Sequence, residues 1–218
     1  MNRITLFAGH YGSGKTNIAV NYALHLKQLF SDVILADLDI VNPYFRAKDS
    51  QKELTEAGVR FLCSEYANTN LDIPAIPAEM YDIVKDRSAM AVLDIGGDDR
   101  GAFALGRYTP EILSENDYEM SFVVNFARPL TASIEDAVSI LREIEAASHI
   151  PFTSITNNTN IGPQTTAQTV LEYLPMAEAF SEAVHLPIVR HTVEESLFES
   201  LSQKIQNLFP LKLQIKLF

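Results

Sequence analysis

The stretch ITLFAGHYGSGKTNIAV, residues 4–20, decides how this chain is to be read. It opens as a short apolar run, turns through three glycines within six positions, offers a lysine and a threonine, and then becomes helical in pattern. Gly9, Gly14, Lys15 and Thr16 fit G-x-x-x-x-G-K-[ST]. Glycines let the backbone curl so that successive N–H groups point into one concavity, an anion nest. The following helix adds its unpaired N-terminal N–H groups and the positive end of its dipole. Gly12, Ser13 and Asn17 belong to the same loop and first helical turn and complete the candidate phosphate-binding set. The Lys15 ammonium reaches β- and γ-phosphate oxygens, and the Thr16 hydroxyl is suited to ligate magnesium.

Outward from this loop, short apolar runs recur: residues 4–8, 33–37, 59–63, 89–94, 120–125, 152–156 and 186–190. Most are apolar at consecutive positions, the pattern of strands buried on both faces. Amphipathic stretches separate them, at about 14–30, 48–57, 76–87, 130–148, 165–182 and 193–208. Ile134, Val138, Leu141 and Ile144 recur at helical spacing. Thr192 with Glu195 reads as a capping box opening the last helix. The expected fold is α/β: a single P-loop domain over 1–218, with a mostly parallel, doubly wound sheet of about seven strands and helices on both faces. Residues 209–218, FPLKLQIKLF, alternate with period two after Pro210 and read as an edge strand or pairing segment.

The totals exclude several classes. The chain has 218 residues and a formal net charge of -11. Nucleic-acid binders need a basic footprint to displace counterions, and none is visible. The single cysteine, Cys63, rules out an internal disulfide and a cysteine metal site, and its apolar setting predicts burial. No run is long and apolar enough to span a bilayer, and MNRITLFAG reaches glycine too soon for a signal peptide. The expectation is a cytoplasmic protein with neither nucleic acid nor membrane as partner.

Ligands in doubly wound sheets bind beyond the carboxyl ends of the strands, and those ends carry acids and amides here. Asp37 and Asp39 follow the second run. Asp94 ends the fourth, four apolar residues and then an aspartate, the Walker B arrangement that orients magnesium. Asp94-Ile95-Gly96-Gly97 fits D-x-x-G, where the Gly97 N–H is placed to meet a γ-phosphate and report its loss. The sixth run ends in ITNNTNIG, residues 155–162. An asparagine there offers acceptor and donors to a purine edge; the same asparagines also suit turns. Guanine-specific relatives usually place N-K-x-D at this point. With Asn157, Asn158, Thr159 and Asn160 instead, adenine is favoured.

Together these motifs resemble the MinD/ParA and CobQ/CobB nucleotide-binding family, of the SIMIBI branch of P-loop ATPases. The likeness covers about residues 3–190. It implies an ATP- and magnesium-dependent switch, often a homodimer with nucleotide at the interface and acting on a further protein. By motif position it implies that Lys15 and Thr16 hold phosphate and magnesium, that Asp39 orients the attacking water and joins the metal site, that Asp94 is the Walker B acid and that Asn158 contacts the base. The loop departs from the family at one position. Many members carry a lysine that reaches across the dimer, where this chain has His10, a side chain that need not be charged at neutral pH.

Three functions remain open on these residues. The first is a slowly hydrolysing ATPase switch. The second is a small-molecule kinase or ATP-dependent ligase, with Asp39 as base and Arg46 and Arg100 binding an anionic substrate. The third is an adaptor that binds nucleotide without turnover, motivated by the missing lysine. Tyr44 and Phe45, directly after Asp39, are placed either for a nucleotide-gated contact surface or for packing.

Overall fold

The structure, a computed structural model, describes residues 1–38, 50–63, 80–96, 105–106 and 108–213. Among the described residues eight strands form one sheet: β1 (Ile4–Ala8), β2 (Val33–Leu38), β3 (Arg60–Cys63), β4 (Met90–Ile95), β5 (Tyr118–Val124), β6 (Ser154–Asn157), β7 (Ile188–Glu194) and β8 (Leu208–Leu211). Their order is β3-β2-β4-β1-β5-β6-β7-β8, and every pairing is parallel. The described helices are α1 (Lys15–Leu29), α2 (Gln51–Glu56), α3 (Met80–Lys85), α4 (Thr109–Glu115), α5 (Ile134–Ser148), α6 (Ala167–Val184) and α7 (Glu195–Leu201).

The period-two rule divides the strands between two cores. Ile4, Leu6 and Ala8 face one side with Leu93, Phe122 and Val124, against Leu141 and Ile144 of α5 and Phe180 of α6. Phe7, Leu35, Val92 and Val123 face the other, against Ile18, Ala23 and Leu26 of α1 and Leu54 of α2. All five residues of β1 are buried, which is why its sequence is a continuous apolar run. Burying a Leu or Phe side chain stabilises by about 1.5–3 kcal/mol, so this central strand anchors the domain. The buried Arg190 guanidinium lies 5.4 Å from the Phe7 ring centroid and 4.4 Å from that of Tyr22, and is ion-paired with Glu119.

Chain direction places the site. β1 lies between β4 and β5. The chain leaves β1 toward β2 on one side, and after β4 crosses to β5 on the other. The order reverses at β1, and a crevice opens beyond its carboxyl end.

Several local expectations are corrected. The stretch 193–208 is not one helix: β7 continues through Glu194, α7 ends at Leu201, and β8 begins at Leu208. Thr192 caps nothing. It lies within β7, and its hydroxyl donates to Asn158 Oδ1 at 2.7 Å; the residue preceding α7 makes no side-chain cap bond. The stretch 130–148 opens with a 3-10 turn, Pro129–Thr131, and α5 starts only after Ser133, which accepts from the Asp136 N–H. Helix α4 was not anticipated. Cys63 is half-buried rather than buried, because β3 is an edge strand. The edge strand near the C-terminus is centred earlier than the alternation after Pro210 indicates. Pro210 sits inside β8, tolerated because the strand has a partner on one side only. Residues 214–218 lie outside the described residues.

Candidate functional site

The loop after β1 is shaped by two close approaches. A Cβ on Gly9 would sit 2.3 Å from the Val123 carbonyl oxygen, and one on Gly14 would sit 2.2 Å from Asn158 Nδ2. Gly14 also adopts a φ of 95°, a left-handed conformation that side chains disfavour. The loop is therefore pressed against β5 and the end of β6, and glycine is required at both contacts. The Ser13 N–H donates to the His10 carbonyl at 3.2 Å and closes the turn.

Helix α1 starts directly at Lys15. Its N-cap is Gly14, no side chain caps it, and its first turn contains no acid. Gly14 offers no side chain to cap the opening N–H groups, and no acid of the first turn offsets the positive end of the helix dipole. Lys15, Thr16 and Asn17 are all buried. Lys15 Nζ donates to the His10 carbonyl at 3.2 Å, which curls the ammonium over the loop. Ser13 Oγ is buried and meets no partner among the described residues. A buried hydroxyl without a partner is costly, and an anion in the nest would satisfy it.

Asp94 is fully buried near the carboxyl end of β4. It is in register with Phe7 of β1 and Asp37 of β2. Paired residues of parallel strands share a face, and Phe7 faces α1. Both carboxylates therefore lie on the side of the sheet that carries the phosphate-loop helix. Among the described residues no three His, Cys, Asp or Glu side chains cluster to hold a metal. Magnesium does not need such a cage, because it takes one or two protein oxygens and completes its octahedron with water and phosphate. Thr16 and Asp94 are the candidate oxygen donors of that kind on this face of the sheet.

His10 is tied into its own loop, with Nδ1 3.0 Å from the Tyr11 carbonyl and therefore donating to it. Asn158 is a structural clamp. Its Nδ2 donates to the Ser13 carbonyl at 2.7 Å, and its Oδ1 accepts from Thr192. An amide has two N–H hydrogens, so one donor remains beyond the Ser13 bond. The neighbouring asparagines hold turns. Asn157 Oδ1 accepts from Thr159, and its Nδ2 lies 3.1 Å from His191 Nδ1. Asn160 donates to the Asn158 carbonyl and accepts from the Gly162 N–H. Burial holds the His191 pKa below its usual value.

A cleft of about 790 Å³ runs from this loop across the sheet end. Gly12, Gly14, Lys15, Thr16 and Asn17 line it with Asn158, as do Glu194, Leu211 and Leu213. Arg128 also lines it. Sequence reasoning missed Arg128, Thr192, Glu194 and the C-terminal leucines. Arg128 and Glu194 stand just past or at the ends of β5 and β7, where the strand-end rule points, but no motif marks them. Asp39, Gly97, Tyr44, Phe45, Arg46 and Arg100 lie outside the described residues.

No protein-family model matches the chain, and no curated protein does. Solved structures match its fold. The cell division protein FtsY of Thermotoga maritima superposes with a TM-score of 0.59 at 14% identity, over 88% of this chain and 62% of that one. The signal recognition particle receptor FtsY of Elizabethkingia anophelis in complex with GDP gives 0.55 at 15% identity, over 89% of this chain and 58% of that one. The 54 kDa signal recognition particle protein of Aeropyrum pernix K1, in complex with GDP, gives 0.51 at 17%, over 85% and 40%.

The fold is that of a P-loop NTPase. The chain spans less than two-thirds of the length of these neighbours, so it corresponds to one portion of each.

Proposed function

We propose that this protein is a P-loop nucleotide switch of SIMIBI type that binds ATP with magnesium and hydrolyses it slowly. The carrying observation is the uncapped start of α1 with Lys15 and Thr16 buried beside the orphaned Ser13 hydroxyl, on the same sheet face as Asp94. The α1 N–H groups and the Lys15 ammonium would bind the β- and γ-phosphoryl oxygens and stabilise charge that grows on them as the terminal P–O bond breaks. Thr16 and Asp94 would hold magnesium, which supplies further charge neutralisation when bound. Asp39 is assigned the orientation of water, and Gly97 the contact that reports loss of the γ-phosphate. The second N–H of Asn158 is available for a purine ring nitrogen. As a switch, the protein would change its partner with nucleotide state, whether a second copy of itself or another protein.

A second reading is GTP. Two structural neighbours carry GDP, and Glu194 lines the cleft, where a carboxylate accepts from two guanine donors.

Calorimetric titration with ATP and GTP, each with magnesium, tests both. ATP is expected to bind, and Lys15→Ala to weaken it roughly 30- to 100-fold through loss of a charge-assisted contact. Tighter binding of GTP than ATP would favour the second reading. Binding of neither nucleotide would overturn both.

A further inference from the structure

A nucleotide has a polyanionic end and a flat aromatic end, and the cleft offers lining for both. The loop after β1 supplies backbone N–H groups and Lys15. Val170, Val193, Leu211 and Leu213 also line the cleft, beside Glu194 at the end of β7. Val170, Val193 and Leu211 are buried, whereas Leu213 is 49% exposed. It belongs to the segment that leaves β8 and returns toward α1.

That segment is held by a specific clamp. Asn21 Oδ1 accepts from the Lys212 N–H at 2.8 Å, and Asn21 Nδ2 donates to the Lys212 carbonyl at 3.0 Å. One side-chain amide thus satisfies both backbone groups of Lys212, as a neighbouring strand would. Asn21 lies one turn beyond Asn17, and its Nδ2 also donates to the Asn17 carbonyl at 2.8 Å. The clamp therefore fixes the two leucines relative to the turn of α1 that begins at the phosphate site.

We propose that Leu213, backed by the buried Leu211 and pinned to α1 by Asn21, forms the shelf on which the base of the bound nucleotide lies. This rests on the nucleotide reading above and adds to it a second, independent half of the site. The phosphate end supplies affinity shared by any triphosphate. The shelf supplies affinity only for a ligand that carries a base, by covering apolar surface on both partners.

Inorganic tripolyphosphate separates the two halves, because it fills the cradle and cannot reach the shelf. Leu213→Ser and Asn21→Ala are compared with the unmodified protein, using ATP and tripolyphosphate in magnesium. Both variants are expected to weaken ATP by about tenfold and to leave tripolyphosphate affinity within twofold. Unchanged ATP affinity in both variants would overturn the proposal. So would a parallel loss of ATP and tripolyphosphate, which would mean that these residues act only through the integrity of α1. If the unmodified protein binds neither probe, the nucleotide reading fails and the shelf with it. If it binds tripolyphosphate with full ATP affinity, only the shelf fails.

Discussion

Asn158 donates its side-chain amide to the carbonyl of Ser13 at 2.7 Å, joining residues 145 positions apart. The same side chain accepts from Thr192 on β7. One amide thereby fixes the phosphate loop against two further strand ends, and a Cβ on Gly14 would collide with it. The cradle keeps its shape because of a contact no loop residue could make alone.

Removing that amide should loosen the loop before it affects the core. Asn158→Ala leaves the Ser13 carbonyl without its side-chain donor and the Thr192 hydroxyl with only the longer bond to the Asn157 carbonyl, at a cost of about 1–3 kcal/mol. The expected result is a lower melting temperature and at least tenfold weaker triphosphate binding. Asn158→Asp should be worse for binding, since a carboxylate cannot donate to the Ser13 carbonyl. Thermal melts combined with calorimetry decide this, and wild-type affinity in Asn158→Ala would refute the clamp.

Gly9→Ala places a methyl group 2.3 Å from the Val123 carbonyl oxygen, a backbone atom with little room to yield. The loop must lift from β5. A destabilisation of about 1–3 kcal/mol is expected, as for other overpacked sites, with impaired triphosphate binding. Gly12→Ala is the control. A Cβ there meets nothing within 4 Å, so its cost should be confined to the backbone strain of a φ of 77°.

Asp94→Asn preserves shape and removes the charge that would attract magnesium. Triphosphate binding measured without magnesium should change by less than about threefold. The added affinity and thermal stabilisation that magnesium confers should disappear. Parallel melts with and without magnesium read this directly; an unaltered magnesium increment in the variant would remove Asp94 from the metal site.

His191 carries a pH prediction. Burial lowers its pKa in the folded protein, so the unfolded chain binds the proton more readily. The sign follows: the contribution is intact above the ordinary histidine value near 6.5 and is lost as pH falls through the depressed folded value. Protonation would also turn Nδ1 from an acceptor into a donor facing Asn157 Nδ2, 3.1 Å away. Stability should therefore drop on acidification from about pH 7 to 5. His191→Asn, which keeps an acceptor and does not titrate, should flatten that part of the profile.

Most of the layout was legible in the residues because parallel strands buried on both faces leave uninterrupted apolar runs. β1, β2 and β4 coincide with such runs to within a residue, and the glycine spacing of 9–14 located the crevice at their ends. Three kinds of feature were not legible. The end of β7, α7 and the turn before β8 were read as one helix, 193–208, because a strand end, a short helix and a turn leave mixed periodicity. Thr192 resembled a cap because its spacing to Glu195 is that of one; only tertiary context, through Asn158, spends its hydroxyl elsewhere. Arg128, Glu194, Leu211 and Leu213 line the cleft through topology, which brings the ends of β5, β7 and β8 toward the loop after β1, and no local pattern encodes that proximity.

The Asn21–Lys212 clamp joins residues 191 positions apart, so the wall carrying Leu211 and Leu213 cannot assemble from the first part of the chain. During synthesis the phosphate loop emerges early, yet the opposite wall waits for residues beyond 210 to leave the ribosome. On the proposed reading, triphosphate would template the order of the loop on a partial chain, while recognition that depends on the base would be postponed until residues 211–213 have been made.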